Sequence, residues 1–485
     1  MPTEPDPRRW TALIVLCVGM LMIVLDATVV NVALPSIQTD LGFTQSSLAW
    51  VVNAYLIAFG GLLLLAGRLG DLIGRRTVFL AGLAVFTSAS VACGVAQSQA
   101  MLVGARFLQG VGGALTSAVI LGMIVTMFPQ PREQAKAIGV YSFVASAGGS
   151  VGLLAGGVLT ESINWHWIFF INLPIGVVTA VVAARLLPRE QGLGLSAGAD
   201  VPGAVLITGA LMLLVYTIVE PAAKHGWGDA TTLGLGAGAL ALLAAFVARE
   251  ATARTPLMPL RIFRSRDVSG ANGLQALVVA GMFGMFFLGS LYLERVLGYR
   301  PLEIGLAFLP TTLIMGTLSL RYSERLIMRF GPRATLPPGL LLLGAGFLLF
   351  ARAPVGGSYV RDVLPVMVLV GTGLGISAPS LMTLSMSGAT PQDAGLVSGL
   401  VNTTVQVGAA LGLAILATLS ATRTEHLAAG GADRVAALTG GYHLAFVVGA
   451  GLAAVALLIA VTVLRRAPAP AGAEAYGAAQ PVYAD

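Results

Sequence analysis

The chain has 485 residues, of which 56% are apolar and only 10% charged, and its mean hydropathy is +0.86; a soluble domain of this size carries about 25% charged residues. That balance excludes a water-soluble globule and the disordered, fibrous and disulfide-stapled classes. The net charge of +6 is no nucleic-acid footprint either, because the 28 Lys and Arg sit between apolar runs rather than in one patch.

A membrane-crossing helix needs roughly 20 mostly apolar residues. In chain order, runs bounded by Gly, Pro or charge predict spans near 11–33, 48–66, 77–97, 100–127, 136–159, 167–187, 201–219, 231–248, 268–292, 303–320, 334–351, 363–384, 395–419 and 442–464. Pro310, Pro337 and Pro338 interrupt two of these fourteen. The first run continues too long for a cleavable signal peptide and lacks a small-residue cleavage site. Cys17 and Cys93 each lie inside an apolar run, so neither a disulfide nor a cysteine metal site is implied.

An even number of spans puts both termini on one side. The loops on that side hold twenty of the 28 Lys and Arg, the opposite loops hold seven, and Arg106 falls inside a span. By the positive-inside rule the termini are cytoplasmic. Gly74-Arg75-Arg76 after the second span and Gly331-Pro332-Arg333 after the tenth each lead into a Leu/Gly-rich run, 257 residues apart. This weak repeat suggests parallel halves with a binding site between them, a recognised transporter architecture. The expected organisation is a six-helix bundle over 1–190, two inserted helices over 191–255, a second six-helix bundle over 256–466, and a disordered Ala/Pro/Gly tail over 467–485.

Asp26, in the first span, and Arg106, in the fourth, are the chemically expensive residues: an ionised side chain at the bilayer centre costs about 2.5–3.5 kcal/mol on insertion scales. Counted from the outer ends of their predicted spans they lie 7 and 6 residues in, about 10 Å deep at roughly 1.5 Å per residue. Equal depth is what a pair or a shared water-filled cavity requires. A carboxylate balanced between desolvation and a neighbouring cation can titrate as its surroundings change; a static structural pair is the alternative.

Arg106, Gln109, Gly110 and Gly113 share one helix face, as do Gly395, Gly399, Asn402 and Gln406. Asn and Gln in lipid also glue helices together, so cavity lining and packing both fit. Met282, Phe283, Met285, Phe286 and Phe287 suit apolar ligands and lipid alike. Asn31, Tyr55, Gln109, Gly113, Phe283, Asn402 and Gln406 are the residues expected to line a substrate cavity. Gly148, Gly152 and Gly156 at four-residue spacing permit close helix approach, with a role in sealing between the halves as a further step. The segment Gly67-Arg68-Leu69-Gly70-Asp71-Leu72-Ile73-Gly74-Arg75-Arg76 reads as a tight basic turn in which Asp71 pairs with an arginine or caps a helix. His166, His225, His426 and His443 lack metal-ligand spacing, and neither a Walker A sequence nor a nucleophile elbow is present. No enzyme, metal or cofactor is expected, and energy must come from an ion gradient. A receptor or scaffold fits poorly with the embedded Asp26 and Arg106.

These segments resemble the major facilitator superfamily, specifically its fourteen-span drug:proton antiporter branch. Gly67–Arg76 resembles the loop 2–3 signature, Arg106–Gly113 the fourth-helix motif, Gly148–Gly157 the fifth-helix antiporter motif, and Leu25 through Pro35 the first-helix motif. Trp165-His166-Trp167-Ile168-Phe169-Phe170-Ile171-Asn172-Leu173-Pro174, Asp200 with Gly203, and the segment Pro256 to Leu260 are similar too. The resemblance implies an all-α fold of two six-helix bundles plus two extra central helices. It also implies multidrug efflux by alternating access: export of hydrophobic, often cationic compounds such as antibiotics, driven by inward-moving protons. Asp26 would then be the proton-responsive acid and Arg106 its partner, with Gly67, Arg68, Asp71, Gly74, Arg75 and Arg76 at a cytoplasmic gate. A monomer in a bacterial plasma membrane is expected, with a small molecule, protons and lipid as partners and no nucleic acid; a same-fold transporter of a dedicated metabolite or lipid is the alternative. His166 stands where arginine is common, Glu294 where glutamine is usual, and Arg321–Arg325 is degenerate beside its first-half counterpart.

Overall fold

A computed structural model describes residues 8–128, 130–188, 192–194, 198–253, 256–257, 260–386 and 394–462. Those residues form helices and connecting turns. In chain order they are α1 (Arg9–Leu41), α2 (Trp50–Ile73), α3 (Arg75–Gly94), α4 (Gln99–Met127), α5 (Pro131–Ser162), α6 (Trp167–Phe170), α7 (Asn172–Leu186), α8 (Val201–Val219), α9 (Pro221–His225), α10 (Ala230–Thr252), α11 (Arg266–Arg295), α12 (Pro301–Arg321), α13 (Ser323–Phe330), α14 (Pro332–Phe350), α15 (Leu364–Met386), α16 (Ala394–Ala429) and α17 (Arg434–Thr462).

Thirteen spans among the described residues are long and apolar enough to cross a membrane, and the 32-residue α5 completes the alternation of fourteen. A backbone in lipid must satisfy its own polar groups, which leaves a chain of this composition few options besides helices. Pro310, Pro337 and Pro338 lie inside continuous helices, as prolines do in membranes when neighbours re-satisfy the freed groups. The proposed disordered tail falls outside the described residues.

The helices run between a near end, where α1 begins and α17 finishes, and a far end. α1 packs on α5, α2 and α3 pack on α4, and α3 packs on α7. The same set recurs as α11 on α16, α12 and α14 on α15, and α14 on α17. Gly74 and Gly331, the paired glycines of the weak sequence repeat, each form a one-residue break before a helix, at φ +93° and +82°. These are conformations that side chains with a Cβ rarely adopt. The second-half loop Arg321–Arg325 folds into the end of α12 and the start of the short helix α13.

The inserted helices form a hairpin whose first member, α8, packs on both α2 and α16, while α10 packs on α8 and is largely exposed. Asp200 caps α8 through Gly203 N at 3.1 Å and binds Arg249 Nε of α10 at 3.0 Å, which ties the hairpin at the near end. At the far end Asp229 caps α10; the hydrogen bond from Thr231 N holds its carboxyl below the usual carboxylate range. After α7, Leu193 N and Gly194 N donate to Asp71 O and Leu72 O at the end of α2.

Candidate functional site

The two expensive charges meet. Arg106 Nη1 donates to Asp26 Oδ2 at 2.5 Å, and Gln109 Nε2 donates to Asp26 Oδ1 at 2.7 Å. Arg106 also donates through Nε to Val51 O of α2 at 2.9 Å and through Nη1 to Gln109 Oε1 at 2.7 Å. Its guanidinium lies 4.5 Å from the Tyr55 ring centroid and 5.7 Å from that of Phe169, a placement favoured by the negative faces of aromatic rings. Charge-assisted bonds of this kind are about twice as strong as neutral ones.

Two further residues complete the cluster, and sequence reasoning gave neither a role. Asn172, the first residue of α7, donates through Nδ2 to Asp26 Oδ1 at 3.3 Å and to Ser90 Oγ at 3.0 Å. Ser90, on α3, donates to Phe169 O at 2.9 Å and accepts from Gln109 Nε2 at 3.1 Å. Asn172 stood only as one letter in the Trp165–Pro174 segment. The available signal was its place at the head of a span, within reach of an embedded acid.

Of the two arrangements that equal depth allows, the direct pair is the one present: Asp26 is 0% exposed, Arg106 1% and Gln109 0%, and the cluster is enclosed by α1, α2, α3, α4 and α7. The equal depth of the two residues holds, since their side chains meet. α1 continues past its apolar run to Leu41, 15 residues beyond Asp26, while Arg106 lies 7 residues into α4, so the helix ends are staggered.

Several expected cavity residues point elsewhere. Tyr55, Gln109 and Gly113 are interior to the first bundle, where a Cβ on Gly113 would come 2.9 Å from Phe59 and 3.1 Å from the Tyr55 hydroxyl. Asn31 is 8% exposed and donates to Ala27 O at 3.1 Å. Phe283 is half-buried on the second bundle's core, and Met285 and Phe287 are inside it. Asn402 is exposed on α16, and Gln406 packs beside Gly60 of α2. An apolar cavity of about 280 Å³ lies one helical face away, between Gly60, Gly61 and Leu64 of α2, Thr403 and Val407 of α16, and Phe246 of α10. None of the seven expected residues lines it.

The basic segment is mostly helix rather than turn: α2 runs through Ile73 and only Gly74 breaks it. Asp71 Oδ1 accepts from Arg75 Nη2 at 3.3 Å, as expected. Arg75 Nη1 also donates to Gly122 O of α4 at 3.2 Å, Arg76 to Ala184 O of α7, and Arg68 Nε to Gly198 O at 3.1 Å. Gly67 meets open space. These bonds stiffen the near end of the first bundle.

Gly148, Gly152 and Gly156 do permit close approach, but to α1 within their own bundle, against Leu21 and Val24, Thr28, and Val29 respectively. Contact between the halves is carried by their neighbours. A Cβ on Gly157 would come 2.7 Å from Leu302 Cα, and one on Gly305 would come 2.5 Å from Leu153 O. Around this point the far end is shut. Arg300 Nη1 pairs with Glu161 Oε1 at 2.9 Å, Leu302 N donates to Glu161 Oε2 at 3.2 Å, Gln45 Nε2 to Ser420 Oγ at 3.0 Å, and Arg295 Nη2 to Thr39 Oγ1 at 3.3 Å. Arg300 also pairs with Glu303. Glu294 is half-buried, with Oε2 enclosed and no partner for it among the described residues.

A sequence profile of the Major Facilitator Superfamily matches residues 16–413. Among curated proteins, the puromycin resistance protein of Streptomyces alboniger is 39% identical over 92% of this chain and 90% of its own length. The cephamycin export protein of Amycolatopsis lactamdurans is 38% identical over 87% of both. The tetracenomycin C resistance and export protein of Streptomyces glaucescens is 36% identical, over 86% of this chain and 77% of its own. Among solved structures, a bacterial homologue of the human lysosomal transporter Spinster, inward-facing and unoccupied, aligns with a TM-score of 0.70 at 17% identity, covering 96% of this chain and 100% of that one.

Proposed function

The chain belongs to the Major Facilitator Superfamily, whose members are multi-pass membrane transporters and not enzymes, and from that premise we propose that it is a proton-driven exporter of hydrophobic small molecules, antibiotics among them. Relatives named for puromycin resistance, cephamycin export and tetracenomycin C export support the cargo class. The observation that carries the coupling is the buried Asp26–Arg106 pair, the charge cluster enclosed in the core of the first bundle.

The mechanism follows from its burial. An ionised Asp26 is stable only while Arg106 and Gln109 hold it. Loosening of α1 against α4 within the first bundle, as the halves rock, weakens those bonds and admits water, and the carboxyl then takes a proton. Reclosing expels the proton to the side then open. The fold supplies a partner for that exchange: the far end is sealed by Glu161, Arg300 and Gly157, and an apolar cavity adjoins the seam of α2 and α16. With the near end cytoplasmic, a reading that the twenty near-end Lys and Arg support, the sealed end faces outward and cargo loads from the cytoplasm or inner leaflet. The protein sits in the bacterial plasma membrane with both termini inside and works as a monomer.

The test is expression in an efflux-deficient bacterial host, with growth scored against puromycin and other hydrophobic antibiotics, with and without an uncoupler. Raised tolerance that the uncoupler abolishes supports the reading. Tolerance that persists after the gradient has collapsed contradicts it.

A further inference from the structure

We propose that Asn172 is a positioning residue that allows the buried Asp26 carboxyl to exist in both charged and neutral form, by turning its side-chain amide through half a turn. The inference rests on Asp26 being the proton-responsive group. What carries it is a difference between the polar partners of that carboxyl.

Arg106 can only donate, so it favours the charged form and cannot accept the hydrogen of the neutral one. Gln109 is pinned at both ends: its oxygen takes Arg106 Nη1 at 2.7 Å, and its nitrogen gives to Asp26 at 2.7 Å and to Ser90 at 3.1 Å. Turning Gln109 would set its NH2 against a guanidinium and its oxygen against a carboxylate. Asn172 is held at one end only. Its nitrogen gives to Asp26 at 3.3 Å and Ser90 at 3.0 Å, while its oxygen is buried with no partner among the described residues. A buried acceptor without a donor is unusual in a native interior, and here it lies on the amide that touches the acid. Rotation about the terminal torsion, a broad two-fold torsion in Asn, breaks no bond at that oxygen.

The exchange balances as follows. A proton delivered by hydronium, which leaves as water, adds to Asp26 Oδ1, and the carboxylate becomes a neutral carboxyl with one O–H donor. That hydrogen needs an acceptor, and the turned Asn172 Oδ1 is placed to be it. The turn of Asn172 breaks the two bonds its nitrogen gave to Asp26 and Ser90. The Ser90 hydroxyl, which now donates to Phe169 O, swings to donate to the same amide oxygen and still accepts from Gln109. Arg106 keeps Val51 O and Gln109 Oε1. Loss of the proton reverses each step. The titratable and charged groups facing Asp26 are Arg106 from α4, Tyr55 from α2 and Cys93 from α3; α7 offers the neutral Asn172. Tyr and Cys are weak acids that bring no charge near pH 7.

The experiment is a pH titration by difference infrared spectroscopy on the full chain in lipid vesicles. The protonated-carboxyl band missing from Asp26→Asn identifies Asp26. Asn172→Leu removes a long 3.3 Å donor from the charged form, which keeps Arg106 and Gln109 at 2.5 and 2.7 Å, and removes the one acceptor of the neutral form's O–H, so the neutral form loses more. The Asp26 midpoint should fall by about one pH unit or more, a tenfold change in acidity. Asn172→Ser, which both donates and accepts, should stay within a few tenths of wild type. In wild type, an Asn side-chain carbonyl band should change with the same midpoint. An unchanged or raised midpoint in Asn172→Leu overturns the inference, as does an equal fall in Asn172→Ser. Should neither variant fold, the wild-type amide band decides: its absence overturns the inference and its presence supports it. If no Asp26 carboxyl titrates in wild type, the coupling role assigned to Asp26 fails too, and the two failures are thereby told apart.

Discussion

Gly157→Val should open the far end. The glycine sits where α5 touches the first turn of α12, and a Cβ there would come 2.7 Å from Leu302 Cα, 3.0 Å from Pro301 O and 3.2 Å from Leu302 N. All three are backbone atoms, so no side chain can swing aside, and the strain must be relieved by separating the helices. Overpacking of this kind costs about 1–3 kcal/mol. In the far-end-open form the two helices are apart and the valine meets nothing, so the cost falls on the shut form alone. At 1.4 kcal/mol per factor of ten, the shut-to-open ratio should drop roughly 5- to 150-fold. Spin labels at Gln97→Cys and Val355→Cys, both exposed at the far end of opposite halves, report the separation by electron–electron resonance; Cys17 and Cys93 are buried. The wild type should show mainly the short distance, and Gly157→Val a substantial longer population. Gly149→Val is the control, since Gly149 on the same helix has open space around its Cα. A folded Gly157→Val with the wild-type distance distribution would refute the reasoning.

The ion pair and the helix break yield two further expectations. Asp26→Leu alone strands a buried Arg106 and should cost about 3–5 kcal/mol, whereas Asp26→Leu with Arg106→Met should recover most of that stability, because a buried pair often breaks even against apolar residues; thermal unfolding in detergent measures both, and the double variant should be stable yet unable to couple. Gly74→Ala places a Cβ at φ +93° and should cost roughly 1–3 kcal/mol, read as a lower unfolding temperature, with a comparable loss for Gly331→Ala.

What the sequence could and could not reveal divides along a physical line. Fourteen spans were legible because a run of some twenty apolar residues has few uses besides crossing a membrane. The Asp26–Arg106 pair was legible because charges there are rare enough that two suggest each other. The rotation of each helix was not. In lipid both the packed face and the outer face are apolar, so the pattern that orients a soluble helix is faint: Gly148, Gly152 and Gly156 were correctly read as a close-packing face but turned out to face α1, while Gly157, one residue on, faces the other half. Tyr55 and Gln109 were misplaced for the same reason, and they lie inside the first bundle instead of along a cavity. Helix ends were also hidden. α1 outruns its apolar stretch to Leu41 and α2 absorbs most of the supposed turn, although depths counted from the run boundaries did bring Asp26 level with Arg106. Asn172 was invisible as a site because its role depends on α7 beginning beside Asp26, which is a tertiary fact.

The most direct measurement is proton movement on addition of cargo to purified protein in lipid vesicles, with ethidium as the hydrophobic cationic probe and a pH-sensitive dye outside. Wild-type protein should move protons opposite to the probe and should accumulate it against its gradient when a pH difference is imposed. Asp26→Asn should still bind and equilibrate the probe, but move no proton and concentrate nothing. Gradient-driven accumulation by Asp26→Asn at the wild-type rate would contradict the assignment of that carboxyl as the coupling group.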